Sequence, residues 1–276
     1  MGKHTAQQSE ASRALTTALK AAHRAGEIIL AALRQGDFSV ERKEDKSFVT
    51  TTDTLAEEAI FTAITHDFPG ARFLSEESES EFSDPALTKG ELWVIDPIDG
   101  TTNFSRGQLN VGVCIAYSVD GAVQCAVVHA PLIQETYTAL RGEPAQCNGQ
   151  VIRPRFDVPL DHALIVTGFP YVKGSLQRTL RRAESVLTHC YDLRRLGACS
   201  IDICWVARGR LDGYYETVKP WDIAAPGFIA RMAGCTVGPL GKRYEQAHLP
   251  EELCGEEVLI ASPSLFQQLQ QVLSSP

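Results

Sequence analysis

The stretch WVIDPIDGTTNF (residues 93–104) decides how this sequence is interpreted. Its first apolar, β-branched residues are typical of a buried strand that ends near Asp96. Pro97 has no N–H to donate, so it is expected to end the hydrogen bonding of that strand. Asp99 and Thr101 are both candidate N-caps of a helix that begins here. Two carboxylates beside free backbone N–H groups suit a metal ion that bridges to a phosphate.

A second acidic pair, Glu76-Glu77, precedes this stretch in the chain. Taken alone, a Glu-Glu pair is usually a solvated surface, and an Asp-Gly pair such as Asp99-Gly100 is usually a turn. The combination of both pairs with a strand end and a following Gly-Thr-Thr favours a functional site over either simple interpretation.

The bulk composition is that of a soluble globular protein. The chain has 276 residues, 44% of them hydrophobic and 22% charged. A net charge of −8 and a pI of about 5.4 argue against nucleic acid as a partner. The basic stretch 178–195 is interpreted as a solvated helix face, with a phosphate-binding role as the less favoured alternative.

The location is predicted to be cytoplasmic. Neither a secretory signal nor an apolar run of transmembrane length is recognised, so no membrane partner is expected. The eight cysteines lie mostly in apolar contexts without zinc-ligand spacing, and we interpret them as reduced core thiols of a reducing compartment.

The pattern of helices and strands predicts one layered unit. Residues 1–12 are expected to form a flexible N-terminus, and residues 13–276 a single domain with two subdomains that meet near residue 150. Helices are predicted at about 11–34, 55–65, 176–187, 198–208, 221–233 and 263–273. Strands are predicted at about 71–76, 91–96, 111–119, 122–130, 134–140, 164–167 and 257–261, and residues 212–216 are predicted to form a turn that leads into a strand.

Four carboxylates from separate segments are the candidate metal ligands: Glu76, Asp96, Asp99 and Asp222. Mg²⁺ prefers hard oxygen ligands, and clustered carboxylates are costly to bury without cations. Two metals would clamp the attacking and leaving oxygens of an in-line phosphoryl displacement, with Asp96 as the natural bridge. The Ile98 carbonyl is a further candidate ligand.

Gly100 permits a close approach of the backbone to a phosphate. The N–H groups of Gly100 and Thr101 would then hold phosphate oxygens at the start of a helix.

Three motifs together resemble the inositol monophosphatase family, which belongs to the lithium-sensitive, magnesium-dependent sugar-phosphate phosphatases. They are LSEES (residues 74–78), WVIDPIDGTTNF (residues 93–104) and KPWDIAA (residues 219–225). The resemblance runs from about residue 15 to about residue 270. It implies an α+β fold of the sugar phosphatase type, a layered α-β-α-β-α sandwich, and a homodimer.

The resemblance also implies roles for individual residues. Glu76, Asp96 and the Ile98 carbonyl would hold one Mg²⁺, and Asp96, Asp99 and Asp222 a second, with Glu76 near a third. Asp53 matches the residue that hydrogen-bonds Thr101, and this pair with Glu76 would activate the attacking water. The positions that match contacts to substrate hydroxyls are Asp99, Glu216 and the backbone at Gly197 and Ala198, which join Gly100 and Thr101 as the candidate substrate-binding residues.

The chain departs from the usual family pattern after Asp222. Pro226 and Cys235 stand where the family usually has Gly, and Met232 stands where it has Glu. Pro226 is expected to be tolerated because it lies in the first turns of its helix.

The predicted function is Mg²⁺-dependent hydrolysis of inositol monophosphate by in-line attack of an activated water. Alternatives within the same family are histidinol phosphate, a nucleotide 3′-phosphate, NADP or fructose 1,6-bisphosphate as the substrate. A non-catalytic scaffold with this fold is the third hypothesis, and the complete set of acidic residues argues against it.

Overall fold

The structure of the protein is a computed structural model that describes residues 2–36, 38–42, 48–78, 85–170, 176–243 and 246–274. The helices within these ranges are α1 (Gly2–Gln35), α2 (Thr51–Asp67), α3 (Thr101–Ser105), α4 (Leu176–His189), α5 (Cys199–Ala207), α6 (Pro220–Ala233) and α7 (Pro263–Ser274).

The strands are β1 (Val40–Arg42), β2 (Phe48–Thr50), β3 (Phe73–Ser75), β4 (Glu91–Asp99), β5 (Gly112–Val119), β6 (Ala122–Ala130), β7 (Glu135–Leu140), β8 (Gln146–Cys147), β9 (Gln150–Val151), β10 (Leu164–Thr167), β11 (Asp192–Arg194), β12 (Gly213–Glu216), β13 (Thr236–Pro239) and β14 (Val258–Ala261).

Two large sheets organise the fold. The first has the order β3-β4-β5-β6-β7-β8-β9, in which only the β3–β4 pair is parallel. The second has the order β11-β10-β12-β14-β13 and is mixed, because β10 runs parallel to both of its neighbours. Strands β1 and β2 form a separate antiparallel pair. The chain leaves the first sheet at Val151 and enters the second at Leu164, while the division into subdomains stays a prediction.

The helices and sheets alternate in five layers. Helices α1 and α2 cover one face of the first sheet, α5 and α6 lie between the two sheets, and α4 and α7 cover the outer face of the second. One buried apolar cluster lies between the first sheet and α1 and α2, a second lies on both sides of the α5 and α6 layer, and a third lies between the second sheet and α4 and α7. The predicted α+β class and layered sandwich are therefore confirmed.

Helix α1 begins earlier than predicted. It starts at Gly2, so most of the segment 1–12, which was expected to be a flexible N-terminus, continues the helix. The sequence after Gly2 contains no helix breaker before Gly26, and a stripe of small buried side chains runs along the helix, from Ala11 to Ala25. These small side chains let α1 pack closely against the first sheet.

Strand β4 continues past the proline that was expected to end it. The strand pairs with β5 from Glu91 as far as Asp99, and its register shifts between Asp96 and Asp99. Such a bulge accommodates Pro97, which cannot donate to the ladder. The bulge also re-aims the two aspartates that flank it, and this matters for the site.

The cysteines are all free thiols, and every one except Cys199 is buried. Within the described residues, none of the helices is both long and apolar enough to cross a membrane.

Candidate metal and phosphate site

One cavity collects nearly all of the predicted site residues. Its volume is 590 Å³, and it opens where β3, β4, α3, α5, β12 and α6 meet. The predicted residues on its wall are Glu76, Asp96, Ile98, Asp99, Gly100, Thr101, Gly197, Ala198, Glu216 and Asp222. Asp53 is the exception, because it lies behind Thr101 and reaches the cavity only through that side chain.

Asp96 is the most deeply buried carboxylate of the cluster, with 1% of its surface exposed. Its Oδ1 accepts a hydrogen bond from the backbone N–H of Ile98 at 3.0 Å. Within the part of the chain that the structure describes, its Oδ2 has no hydrogen-bond partner. Burial, followed by the charges of Glu76 and Asp99, raises the pKa of Asp96 well above its usual value. An anionic oxygen in this setting calls for a cation.

Asp99 is held by a residue that the sequence analysis missed. The backbone N–H of Ser200, at the start of α5, donates to Asp99 Oδ2 at 2.6 Å, and the Ser200 hydroxyl donates to the same oxygen. Burial raises the pKa of Asp99, and the bonds from Ser200 partly offset that rise. Ser200 therefore fixes one oxygen of Asp99, and the backbone N–H and thiol of Cys199 also contact this carboxylate.

Asp222 occupies the third position of α6, where its Oδ2 accepts the backbone N–H of Lys219 at 2.8 Å. Burial, then the charges of Glu76 and Asp99, raises the pKa of Asp222 well above its usual value. Potential ligand atoms of Asp99, Cys199 and Asp222 all lie within 4.8 Å of one another.

Thr101 lies at the first position of α3 and contacts two acceptors. Its Oγ1 is 3.1 Å from Asp53 Oδ1 and 3.1 Å from the carbonyl oxygen of Ile98. The other oxygen of Asp53 accepts the backbone N–H and the hydroxyl of Thr50, the N-cap of α2. Burial raises the pKa of Asp53 to about 6, against the lowering effect of Thr50.

The start of α3 differs from the predicted cap. Its N-cap is Gly100, which has no side chain to make a cap bond, and the side chains of Asp99 and Thr101 make the contacts described above instead. Gly100 has φ +91°, and a Cβ there would lie 2.8 Å from the carbonyl oxygen of Asn110. Only glycine fits this conformation and this spacing. Since α3 has five residues, any phosphate binding here depends on local N–H groups more than on a helix dipole.

The far end of the cavity is built around Glu216. Its Oε2 accepts the Tyr214 hydroxyl at 2.9 Å, and burial raises the pKa of Glu216 to about 7. A Cβ at Gly168 would lie about 2 Å from the Glu216 carboxylate, so glycine is needed at that position. The buried Asp202 also lines the cavity, and so does Arg195 from the predicted basic stretch.

The loop that carries Gly197 and Ala198 is tied to α3. The amide nitrogen of Asn103 donates to the carbonyl oxygens of Asn110 at 2.8 Å and of Leu196 at 2.9 Å. Gly197 has φ +93°, and a Cβ there would contact the Asn103 side chain. Asn103 thus sets the distance between the cluster and the opposite wall, a role that its sequence position does not reveal.

The acidic cluster fits hard divalent cations. Four carboxylates share one cavity, and burial raises the pKa values of Asp96, Asp99 and Asp222. Neighbouring carboxylates add to the rise at Asp96 and Asp222, and Asp96 presents a buried oxygen without a partner among the described residues. Oxygen donors of this kind are the ligands that Mg²⁺ prefers.

Known proteins resemble this chain over most of its length. A model of the inositol monophosphatase family matches residues 10–272. The chain is 38% identical over 224 residues to the Nus factor SuhB of Pasteurella multocida, with 80% of this chain and 82% of that protein covered. It is 34% identical over 236 residues to inositol monophosphatase 1 of Solanum lycopersicum, with 84% and 86% covered.

Solved structures with similar folds also match this chain. The extragenic suppressor protein suhB of Bartonella henselae matches with a TM-score of 0.85 and 26% identity, covering 95% of this chain and 98% of that one. The IMPase of Thermotoga maritima matches with a TM-score of 0.79 and 28% identity, covering 92% and 94%.

Proposed function

Since the chain belongs to the inositol monophosphatase family and is a phosphoric monoester hydrolase, we propose that it hydrolyses inositol monophosphate in a Mg²⁺-dependent reaction. The observation that carries the proposal is the buried cluster of Glu76, Asp96, Asp99 and Asp222 around one cavity, with Asp96 Oδ2 unpartnered among the described residues. Repulsion between these carboxylates is relieved when cations bind among them.

The acidic cluster supports the predicted division of metal ligands. Glu76, Asp96 and the Ile98 carbonyl would hold one Mg²⁺, and Asp96, Asp99 and Asp222 a second. Magnesium held there supplies Lewis-acid polarisation of the phosphate and lowers the pKa of water.

The pair Thr101 and Asp53 is proposed to orient the attacking water. Thr101 Oγ1 can accept a hydrogen bond from the water while its own O–H donates a hydrogen bond to Asp53 Oδ1, 3.1 Å away. Asp53 is fixed from behind by Thr50, so its oxygen stays aimed at Thr101. Glu76, on the same cavity wall, is proposed to take the proton that the water loses.

The other end of the cavity is proposed to bind the alcohol part of the substrate. The Asp99 and Glu216 carboxylates accept hydrogen bonds, and the backbone at Gly197 and Ala198 lies beside them on the cavity wall. The backbone N–H groups of Gly100 and Thr101 are proposed to hold phosphate oxygens. A polyol with several hydroxyl donors matches this arrangement.

A substrate panel tests the proposal. Phosphate release by the purified protein with Mg²⁺ is measured on inositol 1-phosphate, histidinol phosphate, a nucleotide 3′-phosphate, NADP and fructose 1,6-bisphosphate, each with and without Li⁺. We expect the highest kcat/KM on inositol 1-phosphate and inhibition by Li⁺. A clear preference for another compound would leave the chemistry in place and overturn the substrate assignment.

A Nus-factor role is the second candidate function, because seven curated bacterial relatives that are 35–38% identical carry that name. It is tested by expressing the wild type and Asp96→Asn in bacteria that lack their own SuhB. If both restore growth to the same extent, the role does not depend on phosphatase turnover. If neither restores growth, this candidate is rejected.

We further propose a homodimer in the cytoplasm that binds a small phosphate ester rather than nucleic acid or membrane. Its eight free thiols support a reducing compartment. Sedimentation and cell fractionation test these two assignments.

A further inference from the structure

Helix α6 contains a proline that leaves one carbonyl group without its usual donor. Pro226 is the seventh residue of α6, deeper in the helix than the start at which proline is readily tolerated. A proline at this position cannot donate to the carbonyl four residues earlier, and that carbonyl belongs to Asp222. Asp222, whose carboxylate belongs to the acidic cluster, therefore has a backbone carbonyl without its usual helical hydrogen bond.

Cys199 lies close enough to the Asp222 carbonyl for its thiol to replace the missing backbone N–H donor. It is the first residue of α5, which packs against α6, and its Sγ lies 3.7 Å from the carbonyl oxygen of Asp222. A thiol is a weak donor, and 3.7 Å is within the range for a sulfur-centred hydrogen bond. The Asp99 carboxylate is a second acceptor beside the same thiol. Seven of the eight cysteines are buried in the core, whereas Cys199 is partly exposed and lines the cavity.

We propose that Cys199 is a positioning residue for Asp222 and that Cys199 and Pro226 act as a pair. The thiol donates to the carbonyl that Pro226 leaves unsatisfied and thereby fixes the first turn of α6. Asp222 is then held at two points, its backbone by Cys199 and its Oδ2 by the N–H of Lys219 at 2.8 Å. The free carboxylate oxygen keeps its direction toward Asp99. The inference rests on the proposed function, because it takes Asp222 as a metal ligand.

A double-mutant cycle tests the pairing. The variants are Cys199→Ala, Pro226→Ala and the two combined. Alanine at 226 restores a backbone N–H to α6 and so returns a donor to the Asp222 carbonyl. Two readouts are taken: the Mg²⁺ concentration that gives half of the maximal Mg²⁺-induced rise in Tm, and the Mg²⁺ concentration for half-maximal phosphate release.

The pairing predicts strong non-additivity. Cys199→Ala should raise both half-maximal Mg²⁺ concentrations about two- to tenfold in the wild-type background, the range expected for one lost hydrogen bond. In the Pro226→Ala background the same change should have almost no effect. The rate at saturating Mg²⁺ should fall much less than the apparent affinity for Mg²⁺.

Two further variants separate positioning from packing. Cys199→Ser keeps a donor and should recover part of the lost Mg²⁺ affinity. Cys204→Ala removes a fully buried thiol from the same helix, so it should lower Tm without changing the Mg²⁺ requirement. An equal effect of Cys199→Ala in both backgrounds, or an effect on Tm alone as for Cys204→Ala, overturns the proposal.

The thermal readout keeps this test independent of the proposed function. If the protein binds Mg²⁺ but releases no phosphate from any substrate, the cycle in Tm still reports whether the two residues are coupled. In that event the proposed function fails and the pairing stands or falls by the non-additivity alone.

Discussion

Replacing Asp96 with asparagine should raise the Tm of the metal-free protein and abolish the further rise in Tm that Mg²⁺ gives the wild type. The substitution keeps the size of the side chain and the acceptor for the Ile98 N–H. It removes one negative charge from a cluster in which burial and neighbouring carboxylates already raise the pKa of Asp96. The new amide N–H₂ can donate to those same carboxylates. The metal-free variant should therefore be more stable than the wild type, although it can no longer bind metal well.

The magnitude follows from the unpartnered oxygen of Asp96. Leaving a buried polar atom without a partner costs about 1–3 kcal/mol, and the variant relieves this penalty. Unfolding entropy of about 2.1 cal/mol/K per residue gives about 0.6 kcal/mol/K for a chain of 276 residues. The metal-free Tm should accordingly rise by about 2 to 5 °C, while the Mg²⁺-induced rise in Tm and the turnover are both lost.

Thermal unfolding in EDTA and in Mg²⁺, together with phosphate release, measures these effects. Asp202→Asn is the matched control, since Asp202 is also buried with an unpartnered oxygen among the described residues but lies outside the proposed ligand set. It should raise the metal-free Tm and keep the response to Mg²⁺. A lower metal-free Tm for Asp96→Asn, or turnover close to the wild-type rate, would refute the reasoning.

Three further changes have defined outcomes. Thr101→Ala should lower kcat by about 10²- to 10⁴-fold with little change in Tm, because it removes the hydroxyl between Asp53 and the water. Steady-state kinetics measures this, with Thr102→Ala as the control, and equal rates for the two variants would contradict it. Glu216→Gln should flatten the pH dependence of the metal-free Tm. The folded-state pKa of Glu216 is about 7 against an ordinary 4.5, so its ionisation removes up to about 3 kcal/mol of stability as pH rises from 4.5 to 7, and an unchanged Tm profile would count against this. Gly100→Ala should lower Tm by several degrees, and by more than Gly107→Ala does. Both glycines have positive φ, but only at Gly100 would a Cβ lie 2.8 Å from a carbonyl oxygen. Equal losses of Tm in the two variants would show that the clash is absent.

The longer elements of the fold were predictable from local sequence. The hairpin between β5 and β6 follows from Asp120-Gly121, β10 matches its predicted bounds, and α6 ends before Gly234 as expected. Six strands of two to four residues each were not predictable from the sequence: β1, β2, β8, β9, β11 and β13. An alternating pattern cannot be recognised over so few residues, and their pairing depends on neighbours that are distant in sequence.

The candidate site was predictable only in part, for a related reason. Glu76, Asp96, Asp99 and Asp222 stand in recognisable motifs, and the structure places them on one cavity wall. Ser200 stands in no such motif, and Asn103 lies within residues 93–104 without a recognisable role there, because their contacts reach across 101 residues to Asp99 and across 93 residues to Leu196. The consequence of Pro226 was also missed, since the cost of a proline depends on which carbonyl loses its donor and on what lies beside it.

The most direct test of the account is a Mg²⁺ titration of EDTA-stripped protein with inositol 1-phosphate as the substrate. Inorganic phosphate release is recorded at each Mg²⁺ concentration. We expect no release in EDTA, a rise with Mg²⁺ to a plateau, and loss of that plateau in Asp96→Asn. Release that persists at the same rate in EDTA, or no release at saturating Mg²⁺, would contradict the claim that this acidic cluster is a metal-dependent centre for hydrolysis of inositol monophosphate.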